Sequence, residues 1–446
     1  MADPLAGRAS DGLAKGSRNG WTLSAWCAIA AFGAYFCTYA FRKAFTGDAY
    51  SEPVLGRFTE LTLLVISQGL GYTISKFLGI KVIAEMTPGR RVAWLLGLIA
   101  FAETALLFFA LTPAPYNCIF FFLNGLPLGI VFGLLLGFLE GRRHTEALTA
   151  GLCASFIIGD GVAKMVGRLL MMWHLDKAWM PFVAGLLFVP PMLLFAWMLS
   201  RIPAPSPADV ASRSERKPMN RADRRDFFLR YATGLTLLVF VYLLLTVLRS
   251  VRSDFGLAIW QGLGIDNAPQ DFVISEMAVG IAAPLVAGLA VCIRDNRRAF
   301  FTSMTLAIVG FFLIGAALVG LSAGALAPIP FMILQGLGLY LPYVVFHTTL
   351  FERLIAMTRD RGNIGYLMYL ADAIGYLGYA AVMLTHNVFE PSENFLHFFV
   401  PLSWVIAIAS VLLLVPCWWY FAIHPATRSV ADELTSAPLL LGKEEA

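Results

Sequence analysis

The chain has 446 residues, of which 58% are hydrophobic and only 14% charged, and its mean hydropathy is +0.72. This composition excludes an ordinary soluble domain. The net charge of +4 is small. Because the basic residues lie in short connections between apolar stretches, the charge does not indicate a nucleic-acid partner.

A membrane-spanning helix needs about 20 predominantly apolar residues, and twelve stretches of the chain meet this length. In chain order they are 21–45, 59–83, 92–112, 115–138, 146–172, 178–200, 227–250, 268–293, 299–322, 325–350, 362–385 and 396–422. The first is too long for the core of a signal peptide, so no cleaved signal peptide is expected. The composition predicts an all-α membrane protein with twelve transmembrane helices.

One long polar connection divides these stretches into two sets of six. It covers residues 201–225, and its prolines, serines and mixed charges are typical of a flexible linker. The sequence therefore predicts one bundle over 21–200 and a second over 226–424. Polar tails are expected at 1–20 and 425–446.

Basic residues concentrate on one side of the predicted topology. Lys and Arg in short connections mark the cytoplasmic side of a membrane. The basic positions are Arg90, Arg91, Arg142, Arg143, the stretch 201–225, Arg294, Arg297, Arg298, Arg353, Arg359 and Arg361. This distribution predicts that both termini are cytoplasmic and that the protein lies in the cell (inner) membrane.

The two halves of the chain repeat each other. Arg42 recurs as Arg249, 207 residues later, and Asp160 recurs as Asp372, 212 residues later. Self-similarity at a long period marks repeated structural units. Six helices to a half give the two repeats the same orientation. Parallel repeats of this kind belong to the major facilitator fold, whose substrate site lies near the midplane between the halves.

Arg42 and Arg249 are the predicted anion-binding residues. An Arg within a span costs ~2.5–3.5 kcal/mol on insertion scales, and such residues persist where they face a cavity or bind a ligand. Two facing guanidiniums clamp a phosphate or carboxylate by bidentate hydrogen bonds. The alternative is that Arg42, after roughly 21 apolar residues at ~1.5 Å each, extends to the outer interface. The other residues predicted to bind substrate are Lys164, Tyr35, Tyr39 and Tyr242.

Three carboxylates within the predicted helices are candidate proton carriers. Asp160 and Lys164 stand four residues apart and are expected to pair. That pair is either structural, or Lys164 joins the anion site while Asp160 accepts a coupling proton. Asp372 has Tyr376 four residues later, hence no obvious local partner, and an unpaired carboxylate in a membrane favours its neutral form. Glu276 is a similar candidate for carrying a proton. An ion pair with another helix would remove the basis for proposing either Asp372 or Glu276.

Charges at the predicted cytoplasmic ends of the fourth and tenth helices are candidate gating residues. They are Glu140 and Arg142 in the first half, and Glu352 and Arg353 in the second. One hypothesis is that ion pairs among them tie the halves together when the outward path is open. Simple surface charge explains them equally well.

Three segments resemble the organophosphate–phosphate antiporter branch of the major facilitator superfamily. YFCTYAFRKAF resembles that branch's first helix and GYTISKFLGI its second. LLTVLRSVRSDF is similar to its seventh helix, with Arg249 followed five residues later by Asp254. The chain departs from the branch at Ser155 and Phe156, where a histidine is usual. It also resembles a bacterial group of the superfamily that implies no substrate.

The leading functional hypothesis is a secondary transporter of a small, possibly phosphorylated anion, working by alternating access. Antiport against phosphate and proton symport both remain open. One alternative is a membrane enzyme acting on a lipid-linked substrate, and another is a non-transporting sensor on a transporter fold. The sequence holds no nucleotide-binding loop, metal-ligand spacing or hydrolytic arrangement. We therefore expect no cofactor, no metal and no enzymatic activity. The expected partners are the anion and the lipid bilayer, with a monomer implied by the resemblance.

Overall fold

Twelve long apolar helices dominate the protein. The computed structural model describes residues 22–47, 50, 52–56, 58–139, 145–203, 221–265, 269–358, 364–389 and 395–424. Within these ranges, twelve helices are long and apolar enough to cross a membrane. The prediction of twelve spanning helices is therefore confirmed.

We number the spanning helices α1 to α12. Their bounds are α1 Thr22–Gly47, α2 Glu60–Glu85, α3 Arg91–Leu111, α4 Cys118–Leu139, α5 Thr145–Met172, α6 Met180–Ser200, α7 Ala232–Asp254, α8 Pro269–Val291, α9 Asn296–Ser322, α10 Pro328–Thr358, α11 Ile364–Phe389 and α12 Phe395–Ile423. The start of α1, the end of α6, the start of α7 and the end of α12 share one end of the bundle, here called the linker end. The opposite end, which carries the connection from α1 to α2, is called the far end.

Local sequence signals set where several helices begin. The Thr59 hydroxyl accepts a hydrogen bond from the Thr62 backbone N–H, 3.3 Å away, at the start of α2. The Asp295 carboxylate accepts one from the Arg298 N–H at 2.7 Å at the start of α9. Both side chains satisfy backbone donors that a helix start leaves unpaired. Pro328 occupies the first turn of α10, where no donor is needed.

Two helices change their winding near the centre of the protein. The regular hydrogen bonding of α1 breaks at Tyr39, and the helix ends in a 3₁₀ turn, Ala44–Gly47. Residues Phe346–Leu350 of α10 form a π-helical turn that includes His347. Single π turns inside α-helices are frequent at functional sites. Both irregular segments carry residues of the site described below.

The polar connections are only partly as predicted. A short helix, Arg221–Arg230, begins inside the segment expected to be a flexible linker, so residues 221–225 are helical. The prediction of a linker over 201–225 was therefore wrong for those residues. Residues 204–220 and the predicted tails lie outside the described ranges. At the far end, strands β1 (Pro53–Leu55) and β2 (Phe58–Thr59) form a small antiparallel hairpin.

Most contacts between helices lie within one half of the chain. Helix α4 packs on α2 and α3 in the N-terminal half, residues 22–203, and α10 packs on α8 and α9 in the C-terminal half, residues 221–424. The halves meet mainly where α5 packs along α8 and α2 along α11. Helices α3 and α6 are only 33% and 28% buried, so they present most of their surface to the membrane.

Glycines allow α2 and α4 to approach at backbone contact. A Cβ atom on Gly125 of α4 would lie 2.3 Å from the Gln68 carbonyl oxygen of α2. A Cβ on Gly71 of α2 would lie 2.1 Å from the Phe122 carbonyl oxygen. Small residues at such positions are what close packing of membrane helices requires.

We predict that Gly125→Ala destabilises the protein by ~1–3 kcal/mol, because the new methyl group must push two backbones apart. Thermal unfolding of the purified protein in detergent measures the effect. The matched control is Gly97→Ala on α3, where an added Cβ meets nothing within 4 Å. Equal unfolding temperatures for the two variants would contradict the packing described here.

Candidate functional site

The two repeat-related arginines meet on one tyrosine at the centre of the protein. The Arg249 guanidinium donates a hydrogen bond to the Tyr376 hydroxyl oxygen at 2.8 Å, and Arg42 donates to the same oxygen at 3.3 Å. Arg42 comes from α1, Arg249 from α7 and Tyr376 from α11. The site therefore lies between the halves, as the repeat predicted.

Aromatic rings cover both guanidiniums. Arg42 lies 4.0 Å from the centre of the Tyr72 ring, and Arg249 lies 4.7 Å from the centre of the Tyr343 ring. Both arginines are buried, with 6% and 5% of their surface exposed. Contacts of this kind stabilise a desolvated cation by about 2 kcal/mol or more. The alternative that Arg42 extends to the outer interface was wrong, because the side chain turns inward onto these rings.

Neither arginine has an acidic partner among the described residues, although the other buried cations do. Six Lys and Arg side chains are buried in the described ranges. Four of them form ion pairs, namely Lys43–Asp254, Lys76–Asp372, Lys164–Asp160 and Arg252–Glu276. Arg42 and Arg249 form none, and the Nε atom of each lacks a hydrogen-bond partner. The centre of the site therefore carries two positive charges that no described carboxylate balances.

Two of these ion pairs join the halves. Lys43 of α1 pairs with Asp254 of α7, next to the arginines on the side of the far end. Lys76 of α2 pairs with Asp372 of α11 at 2.8 Å, one helical turn closer to the linker end than Tyr376. We call them the far-end bridge and the linker-end bridge. In both, the N-terminal half supplies the lysine and the C-terminal half supplies the aspartate.

The other two pairs lie beside the far-end bridge. Lys164 lies 2.5 Å from Asp160, as expected from their spacing along α5. The other Asp160 oxygen accepts a hydrogen bond from Ser253 of α7 at 3.0 Å, which adds a further contact between the halves. Arg252 of α7 pairs with Glu276 of α8 at 2.6 Å.

The expectation that Asp372 and Glu276 lack partners was wrong. Both form ion pairs with cations from other helices, and Asp372 also accepts a hydrogen bond from the Tyr242 hydroxyl. The basis for proposing either residue as a proton carrier is therefore removed. Sequence spacing did not reveal the pairs because each partner comes from a helix distant in the chain.

The predicted tyrosines surround the arginines in different ways. Tyr39 lies 5.7 Å from the Arg42 guanidinium, and its ring packs edge-on against Tyr35. Tyr242 reaches the linker-end bridge through Asp372 and lies 3.4 Å from His347 Nε2. Tyr35 and Tyr39 line the central cavity, whereas Tyr242 is not among the lining residues and contacts the cavity through Asp372.

The cavity between these groups is small. Its volume is about 10 Å³, roughly one water molecule. Eight of its lining residues carry rings and three are charged. The lining residues are Tyr35, Tyr39, Arg42, Tyr72, Lys76, Phe132, Phe156, Tyr343, His347, Asp372 and Tyr376. The described conformation therefore leaves no room for a solute between the two arginines and the rings around them.

Sequence reasoning did not select several residues of this site. Lys76, Tyr72 and Tyr376 were not proposed as substrate-binding residues, and Asp254 was noted only within its motif. Lys76 and Asp254 carry a signal that was available, a charge inside or at the edge of an apolar stretch. Tyr376 carries no such signal, since tyrosines are common in these helices.

The predicted gating residues are only partly described. Glu140 and Arg142 lie outside the described residues. Arg353 donates hydrogen bonds to Asn296 at 2.8 Å and to the Val291 carbonyl at 3.3 Å, both in its own half, and Glu352 is half-buried. Among the described residues, the ion pairs that join the halves are the two bridges.

We predict that Asp372→Asn destabilises the protein by ~3–5 kcal/mol, because it leaves the Lys76 ammonium buried without an anion. The double variant Lys76→Met, Asp372→Asn should recover most of that loss, since it removes both charges. Unfolding midpoints of the three proteins measure the difference. A double variant as unstable as Asp372→Asn would show that the charge pair is not the cause.

Comparison with known proteins identifies the fold and the family of the chain. No curated protein matches the chain in sequence. Among solved structures, the chain is similar to one described as "Crystal structure of D-xylose-proton symporter", with a TM-score of 0.60 and 14% identity. That match covers 89% of this chain and 97% of the other. With its twelve spans, the chain has the all-α major facilitator fold. A family model described as "Family of unknown function (DUF5690)" matches residues 44–424, so the chain belongs to this family.

Proposed function

We propose that this protein is a secondary transporter that carries a small anion across the membrane by alternating access between its two halves. The observation that carries the proposal is the pair of buried guanidiniums without a carboxylate. Uncompensated charge at the midplane is expensive, and such residues mark ion and substrate pathways. The fold shared with a proton-coupled sugar symporter supports transport in general but not the choice of substrate.

The charge balance supports an anion rather than a neutral solute. Four of the six buried cations already have acidic partners, so the remaining two are available to a ligand. A phosphate or carboxylate group accepts paired hydrogen bonds from guanidinium groups. Such a group would take the place of the Tyr376 hydroxyl as the acceptor of the two guanidiniums, so that a negative charge replaces a weak neutral acceptor. A phosphorylated substrate is therefore one member of the proposed class, in line with the motifs of α1 and α7.

The two bridges give this transporter its gates. They lie on opposite sides of the arginines along the membrane normal, and each joins one half to the other. Breaking the far-end bridge while keeping the other would open a path to the far end, and the reverse would open a path to the linker end. In the conformation described here both bridges are formed, and the cavity between them holds only about 10 Å³. We place the linker end in the cytoplasm because it carries the excess of Lys and Arg.

We predict that anions stabilise the purified protein against heat and that neutral solutes do not. The panel holds inorganic phosphate, glycerol and sugar phosphates, small carboxylates, and D-xylose as the neutral solute. A ligand at 100 times its Kd adds ~2.7 kcal/mol. Arg42→Gln and Arg249→Gln should each abolish the shift, because each removes one charge from the pair.

The control for these variants is Arg201→Gln, an exposed arginine at the linker end, which should leave the shift unchanged. Stabilisation by D-xylose alone, or an anion shift that survives both central substitutions, would contradict the proposal. Uptake of the stabilising anion into vesicles then separates a transporter from a sensor that binds without flux. Exchange against phosphate and dependence on a proton gradient distinguish the two kinds of coupling.

The gate assignment makes a separate prediction. In a variant without native cysteines, Ser253→Cys should react slowly with a membrane-impermeant thiol reagent, because Ser253 is only 3% exposed. Adding Lys43→Met with Asp254→Asn should raise that rate several-fold, since these changes remove the far-end bridge. The matched control is Lys76→Met with Asp372→Asn, which removes the linker-end bridge. Equal rates in the two backgrounds would show that the bridges are not separate gates.

A further inference from the structure

One buried carboxylate takes no part in the site described above. Glu103 lies on the spanning helix α3, eight residues before the helix ends at Leu111, so it is ~12 Å from that end at ~1.5 Å per residue. Only 9% of the residue is exposed. Neither carboxyl oxygen has a hydrogen-bond partner in the part of the chain that the structure describes.

The described helices around Glu103 supply no charge to balance a carboxylate. Helix α3 packs on α4, on α6 and on the Ala40–Lys43 segment of α1. Neither Cys118–Leu139 nor Met180–Ser200 contains a charged residue. On α1, Lys43 is paired with Asp254 and Arg42 is turned onto Tyr72. The only other charge on α3 is Arg91, at its linker end, which donates to the Gly137 carbonyl.

The neighbouring helix leaves room for this carboxyl group. A Cβ atom on Gly185 of α6 would lie 2.1 Å from a Glu103 oxygen. An isolated carboxylate ion in such surroundings costs far more than the neutral acid. The acid form needs no cation and fits the space above Gly185.

The segment that carries Glu103 is tied directly to the segment that carries Arg42. The Asn124 side-chain amide donates to the Ala102 and Phe41 carbonyls, each at 3.1 Å. Those are the residues that precede Glu103 and Arg42. Gln68 completes the link by donating to the Arg42 carbonyl at 3.1 Å and to Asn124 at 2.9 Å. A change of charge at Glu103 would therefore act on the backbone that positions Arg42.

We propose that Glu103 is a proton-binding site within the membrane, held as the neutral acid and separate from the arginines. Asp160, Asp372 and Glu276 are all held as ion pairs, whereas Glu103 meets the criterion of an intramembrane carboxylate without a partner. It offers the transporter a coupling proton in its N-terminal half, and this last role rests on the proposed function. The proton site itself does not.

Infrared spectroscopy of the protein in lipid tests the proton site without any substrate. The neutral acid gives a carbonyl band, outside the carboxylate region, that should be present at neutral pH and shift in heavy water. It should disappear in Glu103→Gln and convert to carboxylate absorption as the pH of wild-type protein rises. The matched control is Glu60→Gln, because Glu60 is also buried but accepts from Asn117 at 3.1 Å and from Lys177 at 3.2 Å. An acid band that Glu103→Gln leaves unchanged would overturn the proposal.

Labelling with dicyclohexylcarbodiimide gives a second readout. This lipid-soluble reagent adds the acid O–H across one of its C=N bonds, and rearrangement leaves a stable acylurea with no leaving group. Peptide mass mapping should find the adduct on Glu103 in wild-type and Glu60→Gln protein, with less adduct as the pH rises. Equal labelling elsewhere but none on Glu103 would overturn the proposal. Either failure leaves the anion-stabilisation result untouched, so the two proposals fail separately.

Discussion

Two guanidinium groups share one phenol oxygen at the centre of this protein, and no described carboxylate balances them. Much of the surrounding structure can be understood as the means of burying that charge. The rings of Tyr72 and Tyr343 cover the cations, and every other buried Lys or Arg in the described ranges is neutralised by its own acid. Paired neighbours do not compete for a ligand. The arginines are therefore left as the strongest attraction for an incoming negative group.

The fold was largely predictable from the sequence, because spanning helices are recognised by their length and apolar composition alone. The position of Arg42 and Arg249 was also predictable, since the repeat places them at equivalent depths. Partners were not predictable. Asp372 is paired because Lys76 lies beside it in the folded protein. The two residues belong to different halves, so their positions in the sequence do not indicate the contact. Glu103 carries the same sequence signal as Lys76, a charge inside an apolar stretch, but only the packed structure shows that no described group forms a hydrogen bond to its carboxyl.

The closed cavity and the irregular helices belong together. The 3₁₀ end of α1 and the π turn of α10 lie at the level of the site, where regular winding is already interrupted. Interruptions of this kind let a helix bend without losing further backbone hydrogen bonds. The contact of α2 with α4 is instead close and glycine-rich, with backbone against backbone. Motion is therefore more easily accommodated beside the arginines than within the packed core of each half.

The two halves contribute different charges to the two bridges, and this bears on the repeat. Both lysines come from the N-terminal half and both aspartates from the C-terminal half. At the repeat-equivalent positions, Lys43 corresponds to Ser250 and Asp254 to Gly47, at the spacing of 207 that relates Arg42 to Arg249. Two copies of the N-terminal half placed face to face would oppose Lys43 with Gly47 and could not form the far-end bridge, whereas Asp160, which corresponds to Asp372, would still face Lys76. The arginines preserve the symmetry of the duplicated unit, while the far-end bridge depends on its loss. Each half has become the specific counterpart of the other and can no longer stand in for it.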